Sequence, residues 1–494
     1  MDESLVSLSA VTARRMIGTR ELSPVELLDA CIARIEALNP AINAIAATDF
    51  ERARAAAREA EQAVMRGAPL GLLHGLPIGI KDLEETAGLL TTYGSPLYRA
   101  HVPQRDHVLV ARLRAAGAIV AAKTNVPEFG AGANTRNAVW GATGNPFNPL
   151  LNAGGSSGGS AAALATDMLP LATGSDTGGS LRIPAALCGV VGFRPSPGLV
   201  PNDRRTLGWA PISVVGPMGR NVADTRLQMA AMAGFEASDA LSYASDAAGF
   251  AQCNPVDLST LRVAYTEDFG VCAVDNQLRA TFREKIAALS RQVKVCEPLA
   301  LDVGEADRCF DIIRAQNFVA GFQEIYERDP QSLGQNTRTN YEMGRAMTLA
   351  DVVWAQMEQT RLFTRFQAVF EQYDVIVSPT SPITPFPWSQ PYLGEINGQP
   401  LANYYRWLAL TYIVTLATNP ALALPCGTDH AGMPFGLQMV GAHRGDLRLF
   451  DIAQAFEAAW QRDPALRRVQ PELAKLSQPV AELKSLVTSP PVFG

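Results

Sequence analysis

Short apolar runs alternate with amphipathic segments along most of the chain. Short runs are typical of buried strands, whereas apolar positions three and four residues apart are typical of helices. Strands are predicted at residues 41–47, 75–81, 118–122, 168–173, 261–265, 293–297, 374–379, 421–425 and 435–440. Helices are predicted at residues 24–38, 49–66, 105–117, 180–188, 275–291 and 446–460, with another from 222 and one around 318. This alternation predicts an α/β fold.

One helix start has a clear local signal. Residues 23–26 read Ser-Pro-Val-Glu, which is a capping box with proline at the first helical position. We expect the helix that begins there to end near Leu38, because Pro40 follows closely. By contrast, residues 148–152 read Asn-Pro-Leu-Leu-Asn and are predicted to be a loop.

The chain is long for one domain, but a large α/β enzyme can reach 494 residues as one unit. Residues 1–70 are predicted to form a helical region packed on the core. Residues 71–465 are predicted to form the α/β core, and residues 466–494 a proline-rich tail that is partly disordered.

Composition narrows the class of protein. With 47% hydrophobic and 18% charged residues, the chain has enough apolar surface for a large core. Its formal net charge of −6 gives no electrostatic reason to bind nucleic acid or an anionic membrane. The seven cysteines are scattered without a C-x-x-C pair, which favours a reducing compartment and argues against zinc. The sequence shows neither a signal-like N-terminus nor an 18-residue apolar run. We therefore expect a cytoplasmic protein without membrane contact.

Two clusters rich in glycine and serine mark the candidate chemistry, at residues 154–160 and 174–180. Glycine at this density costs backbone entropy, so the backbone N–H groups are expected to lie close to a ligand. The second cluster connects a predicted strand to a predicted helix that ends at Gly189. Ser180 would therefore lie at the start of a helix.

Free N–H groups at that helix start would stabilise a developing negative oxygen. The predicted oxyanion hole consists of the amides of Thr177, Gly178, Gly179 and Ser180. Ser180 would then be a nucleophile. The alternative for a single serine here is a structural N-cap.

A serine nucleophile needs a base, and none of the five histidines lies in a motif typical of a catalytic triad. Lys81 ends an apolar segment, and burial would lower the pKa of its amine enough for it to act as a base. The alternatives are a surface lysine with an extended side chain and a different base, Lys123.

Three motifs together resemble the amidase signature family of serine hydrolases. They lie at residues 75–82, 154–160 and 176–184. Ser156 follows Lys81 by 75 residues and Ser180 follows Ser156 by 24, which matches the family's pattern. The resemblance extends from about residue 5 to about residue 460.

The resemblance implies a Ser-cisSer-Lys triad. Ser180 would be the nucleophile, Ser156 the bridging serine in a cis peptide, and Lys81 the base. Ser157 matches a position that supports this network. Asp176 and Arg182, which flank the nucleophile, are interpreted as a buried structural ion pair.

The resemblance also implies a central mixed, twisted β-sheet covered by helices on both faces. Phe129, Gly130 and Ala131 are predicted to form walls of the acyl pocket, although Phe129 could equally be core. Residues 255–345 correspond to the family's variable rim over the active site, where substrate choice is expected to lie. In the family the N-terminal region sometimes supports dimers, so a homodimer remains open.

Three functions agree with these residues. The first is an amidase without a cofactor that uses water to hydrolyse a small or medium amide, anilide or carbamate. The second is the glutaminase component of a glutamine-dependent amidotransferase, acting in a complex with partner proteins. The third is an α/β-hydrolase esterase, because residues 154–158 satisfy G-x-S-x-G. That motif requires a preceding strand, so a loop at 148–152 argues against the esterase.

Overall fold

A mixed sheet of 11 strands forms the centre of the computed structural model, which describes residues 3–493. The strands are β1 (Ile45–Thr48), β2 (Pro77–Lys81), β3 (Ile119–Thr124), β4 (Arg136–Asn137), β5 (Gly141–Ala142), β6 (Gly144–Asn145), β7 (Asn148–Asn152), β8 (Leu171–Asp176), β9 (Val191–Arg194), β10 (Val214–Gly219), β11 (Arg262–Tyr265), β12 (Val295–Pro298), β13 (Val375–Pro379), β14 (Glu395–Ile396), β15 (Gln399–Pro400), β16 (Ala421–Thr428) and β17 (Pro434–Val440). The order in the central sheet is β1-β3-β2-β8-β10-β9-β16-β17-β13-β11-β12.

Helices flank this sheet. They are α1 (Glu3–Ser7), α2 (Ala10–Gly18), α3 (Pro24–Ile42), α4 (Phe50–Met65), α5 (Val108–Ala115), α6 (Gly158–Ala165), α7 (Arg182–Cys188), α8 (Val222–Met232), α9 (Asn276–Leu289), α10 (Ala306–Arg328), α11 (Gln335–Arg345), α12 (Leu349–Val369), α13 (Ala409–Leu416) and α14 (Asp446–Trp460). The α/β fold class with a central mixed sheet is confirmed. Within residues 3–493, no helix combines the length and apolar character needed to cross a bilayer.

The strands at the centre of the sheet are buried along their whole length, β2, β10, β13 and β17 among them. Such strands appear in the sequence as continuous apolar runs rather than alternating patterns. This explains why the sequence located most of them. β2 lies parallel to both β3 and β8, so the carboxyl ends of these three strands meet at one edge of the sheet.

Several helix boundaries differ from the predicted ones, and α5 is shorter at both ends than the helix predicted at residues 105–117. The capping box at Ser23 is present, but α3 continues past Pro40, because its last turn packs Ala41 and Ile42 into the core. The predicted helix over residues 180–188 begins two residues later, at Arg182.

Residues 148–152, predicted to be a loop, form strand β7. β7 pairs with β6 in a separate two-stranded sheet, and the N–H of Asn152 donates to the carbonyl of Phe386. The loop expectation was therefore wrong. β7 nevertheless lies outside the central sheet.

The proline-rich tail packs on the core through its described part, up to residue 493. It forms short 3-10 helices at Leu473–Leu476 and Ala481–Lys484. Leu483 is buried against Ala142 and Trp388. Residues 1–2 of the predicted N-terminal region and residue 494 of the predicted tail lie outside the described residues.

Candidate active site

The amine of Lys81 lies among three serine hydroxyls. Its Nζ donates to the Oγ atoms of Ser156, Ser157 and Ser175, each at 2.8 Å. An ammonium group has three N–H donors, so this geometry saturates it. A neutral amine keeps a lone pair, and one of the three hydroxyls must then donate to Nζ.

Strand pairing brings these residues together. Lys81 ends β2 and Ser175 lies next to the end of β8, and these strands are parallel neighbours. Ser156 and Ser157 come just before α6 and follow a cis peptide bond between Gly155 and Ser156. A Cβ at Gly174 would lie 2.9 Å from Ser157 Oγ, so glycine is needed there for the two segments to approach.

Burial lowers the pKa of Lys81, whose side chain has no exposed surface. Desolvation lowers the pKa of Lys81 below its ordinary value of 10.5, and the negative charge of Glu84 opposes that shift. Burial likewise raises the pKa of the Glu84 carboxyl. Glu84 Oε2 accepts from the hydroxyl of Thr173, which itself accepts from the backbone N–H of Lys81. Glu84, and after it Asp176, are therefore the acidic groups that act on the charge of the buried lysine.

The other lysine considered, Lys123, lies in a different environment. It is equally buried, and burial lowers its pKa to about 8. Its Nζ donates to the carbonyl of Glu84 and to Thr86 Oγ1, and no described hydrogen bond links it to the serines. Its position therefore favours Lys81 as the base.

Ser180 borders the same cavity as Ser156. The cavity has a volume of about 550 Å³, which lies in the range of small-molecule sites. Among residues 3–493, the Ser180 hydroxyl has no hydrogen-bond partner, and none of the described hydrogen bonds joins it to Ser156. The Ser180 hydroxyl is thus free to meet a ligand in the cavity.

The backbone amides before α7 divide into two groups. The N–H of Gly179 donates to Asp176 Oδ1 at 2.9 Å, so this amide is already occupied. The N–H groups of Thr177, Gly178 and Ser180 have no acceptor within the described part of the chain. Of the four amides predicted to form the oxyanion hole, three are therefore free, and that of Gly179 is hydrogen-bonded to Asp176.

Asp176 organises this turn. Its carboxylate accepts from Arg182 Nη2 at 2.9 Å and from Arg194 Nη1 at 3.2 Å, and all three side chains are fully buried. Burial alone would raise the pKa of Asp176, but the two guanidinium groups hold it well below its usual range. Asp176 also accepts from the N–H of Leu181, so its carboxylate binds the backbone of the turn before Arg182 as well as the two guanidinium groups. The structure thus shows the structural ion pair expected for Asp176 and Arg182.

Aromatic and apolar side chains form much of the cavity wall: Leu83, Tyr93, Tyr98, Phe129, Phe310, Phe318, Phe322, Tyr404, Tyr405 and Leu408. Of the three predicted acyl-pocket residues, Phe129 and Gly130 border this cavity. Ala131 does not; it lines a neighbouring cavity of about 380 Å³ instead. Ala131 follows a turn in which Phe129 and Gly130 both have positive φ.

Sequence reasoning missed Ser175 and Glu84. Ser175 follows the conspicuous Gly174, but only the register of β2 and β8 shows that its hydroxyl contacts Lys81. Glu84 lies three residues after Lys81 in a stretch that also contains Asp82 and Glu85, and nothing in that polar pattern marks it as buried. Within residues 3–493, no three His, Cys, Asp or Glu side chains are grouped to hold a metal ion.

Residues 26–450 match the sequence model of a protein family described as Amidase. The chain is 34% identical over 468 residues to an acylamidase of Rhodococcus erythropolis, covering 92% of this chain and 96% of that protein. It is 33% identical over 465 residues to a Glutamyl-tRNA(Gln) amidotransferase subunit of Acaryochloris marina, covering 89% of this chain and 95% of that protein.

Two solved structures resemble the fold along nearly its whole length. A bacterial aryl acylamidase of the amidase signature family has a TM-score of 0.85 at 25% identity, covering 97% of this chain and 98% of that one. A 6-aminohexanoate cyclic dimer hydrolase has a TM-score of 0.80 at 27% identity, covering 95% and 99%. Fold and relatives together define a hydrolase that acts on amides. The chain belongs to the amidase signature family.

Proposed function

We propose that this protein is a self-sufficient amidase that hydrolyses a small or medium amide through an acyl-enzyme on Ser180. The observation that carries the proposal is the contact between Lys81 Nζ and Ser156 Oγ at the edge of the cavity that Ser180 also borders. A buried amine, a connecting hydroxyl and a free serine hydroxyl are the parts that nucleophilic catalysis needs.

In the first half of the reaction, neutral Lys81 accepts the proton of Ser156 while Ser156 accepts the proton of Ser180. Ser180 Oγ then forms a bond to the amide carbon. The negative charge develops on the former carbonyl oxygen, where the N–H groups of Thr177, Gly178 and Ser180 stabilise it. Lys81 now carries the proton as an ammonium ion.

In the second half, the proton returns from Lys81 through Ser156 to the leaving nitrogen, and the C–N bond breaks. Water then attacks the acyl-enzyme and gives up a proton by the same route, and Ser180 leaves with that proton. The products are a carboxylic acid and an amine, and the residues end in their initial protonation states.

The cavity wall supports an apolar or aryl substituent on the amide, with anilides and aryl carbamates included. The ring centres of Phe129 and Phe322 lie 4.8 Å apart, and those of Phe318 and Phe322 lie 5.6 Å apart. Aromatic surfaces of this kind bind flat apolar groups well. The predicted rim contributes Phe310, Phe318 and Phe322 from α10.

The test uses the purified chain alone with a primary amide, an anilide and an aryl carbamate, each followed by release of ammonia or amine. We expect turnover of at least one of them, and loss of that turnover in Ser180→Ala. Turnover that persists in Ser180→Ala would contradict the proposal. So would the absence of turnover on all three with a folded protein.

A second candidate is the glutaminase component of an amidotransferase. The observation favouring it is the similarity to a Glutamyl-tRNA(Gln) amidotransferase subunit of Roseiflexus castenholzii, with 35% identity over 477 residues. Ammonia release from glutamine that appears only when cell extract is added, with no turnover of the three amides by the chain alone, would favour it.

A further inference from the structure

One cationic side chain in the cavity wall has no acidic partner. Arg314, on α10, borders the cavity and is 7% exposed. Among residues 3–493, no carboxylate lies within 4.0 Å of its guanidinium group. A buried charge without a counter-ion is costly, so such a group normally has a ligand or a partner.

The other two arginines in the wall differ from Arg314. Arg204 pairs with Glu85 at 2.8 Å. Arg205 forms an ion pair with Asp239, with 3.4 Å between Nε and Oδ1. Arg314 is thus the cavity-lining arginine whose charge the described residues leave unbalanced.

Aromatic rings hold the Arg314 guanidinium in place. It lies 4.6 Å from the ring centre of Phe318 and 4.9 Å from that of Tyr405. Its Nη2 donates to the hydroxyl of Tyr404 at 2.5 Å. This is the one described hydrogen bond of the group, so its remaining N–H donors are free.

The Tyr404 hydroxyl adds a second donor. It accepts from Arg314 Nη2 and, at 2.7 Å, from Asn340 Nδ2. A phenolic hydroxyl has one proton and two acceptor positions, and both acceptor positions are used. Its own proton has no described acceptor, and Tyr404 also borders the cavity.

We propose that Arg314 and Tyr404 bind a carboxylate on the substrate, so that the preferred amide carries a negative charge beside its apolar or aryl part. This rests on the proposed amidase function and names the substrate class for the same site. The guanidinium would supply two N–H donors in the fork that matches a carboxylate, and Tyr404 would supply the third hydrogen bond.

The test compares acids with their neutral counterparts. One pair is 4-acetamidobenzoate and acetanilide, with the charge on the amine side. The other is N-phenylsuccinamate and N-phenylbutanamide, with the charge on the acyl side. In the unaltered protein we expect kcat/KM to be about tenfold or more higher for the acid of at least one pair. A hydrogen bond to a charged group typically contributes enough free energy for a difference of this size.

Two substitutions and a control locate the effect. Arg314→Gln should abolish the preference for the acid, and Arg314→Lys should restore part of it. Arg338→Gln removes an equal charge from α11 outside the cavity lining and should keep the preference. Binding of the same pairs to Ser180→Ala, measured by calorimetry, should show the same order without turnover.

The outcomes separate this inference from the function on which it rests. Equal or better turnover of the neutral member in both pairs would overturn the carboxylate site and leave the amidase intact. An acid preference that survives in folded Arg314→Gln would also overturn it. If no amide is hydrolysed and calorimetry shows no preference for the acids, both proposals fail.

Discussion

The Nζ atom of Lys81 lies 2.8 Å from the Oγ atom of Ser156, whereas no described hydrogen bond connects Ser156 to Ser180. The lysine and the first serine are therefore already in contact without a ligand. The second proton transfer, from Ser180 to Ser156, would be aligned when a substrate orients the free Ser180 hydroxyl. Catalytic hydrogen bonds are often completed only in the substrate complex.

The first prediction concerns Ser156→Ala. Because Ser156 is proposed to protonate the leaving nitrogen, its loss should lower kcat/KM for an anilide by about 10²–10⁴-fold. A 4-nitrophenyl ester, whose leaving group departs without a proton, should lose less, because for the ester only the activation of Ser180 through Ser156 is removed. The measurement is the ratio of the two losses, with Ser180→Ala as the reference for complete loss. Full activity of Ser156→Ala on the anilide would exclude the proposed relay.

The second prediction is a pH profile. Burial lowers the pKa of Lys81, so the neutral amine that the mechanism needs forms below the ordinary lysine value of 10.5. We therefore expect kcat/KM to rise with pH along one limb whose midpoint lies below 10.5, measured on a neutral anilide from about pH 6 to about pH 10. Thermal unfolding followed over the same range checks that the protein stays folded. A flat profile would argue against Lys81 as the base.

Some of the residues in these predictions could be predicted from the sequence, and others could not. The fold class followed from buried strands that appear as apolar runs, and Lys81, Ser156 and Ser180 followed from three motifs and the spacing between them. Ser175 could not be found in this way, because its contact with Lys81 depends on the register of two strands that lie far apart in sequence.

Local signals also failed where a distant side chain decides the structure. The glycine-rich turn suggested four free amides, but the carboxylate of Asp176 occupies the one at Gly179. Arg314 lies on α10, for which the sequence predicted only a helix around residue 318. That it borders the cavity without a counter-ion is a property of the assembled fold.

The third prediction tests the buried acid beside the lysine. The carboxylate of Glu84 raises the pKa of Lys81, so Glu84→Gln should lower that pKa further and move the midpoint of the pH profile to a lower value. The substitution removes charge and keeps the shape of the side chain. Glu36→Gln removes an exposed acid from α3 and should leave the midpoint in place. A midpoint that moves to higher pH in folded Glu84→Gln would contradict this role.

The fourth prediction concerns stability. Asp176→Asn removes the negative charge that Arg182 and Arg194 share in the fully buried turn before α7. Because two buried guanidinium groups would then lack a counter-ion, we expect a destabilisation of about 3–5 kcal/mol, seen as a lower thermal unfolding midpoint. Glu472→Gln, which breaks the exposed pair with Lys475, should leave the midpoint nearly unchanged. If Asp176→Asn unfolds at the same temperature as the unaltered protein, the carboxylate does not stabilise this turn. Another interaction must then hold the turn in the conformation that leaves the amides of Thr177, Gly178 and Ser180 free.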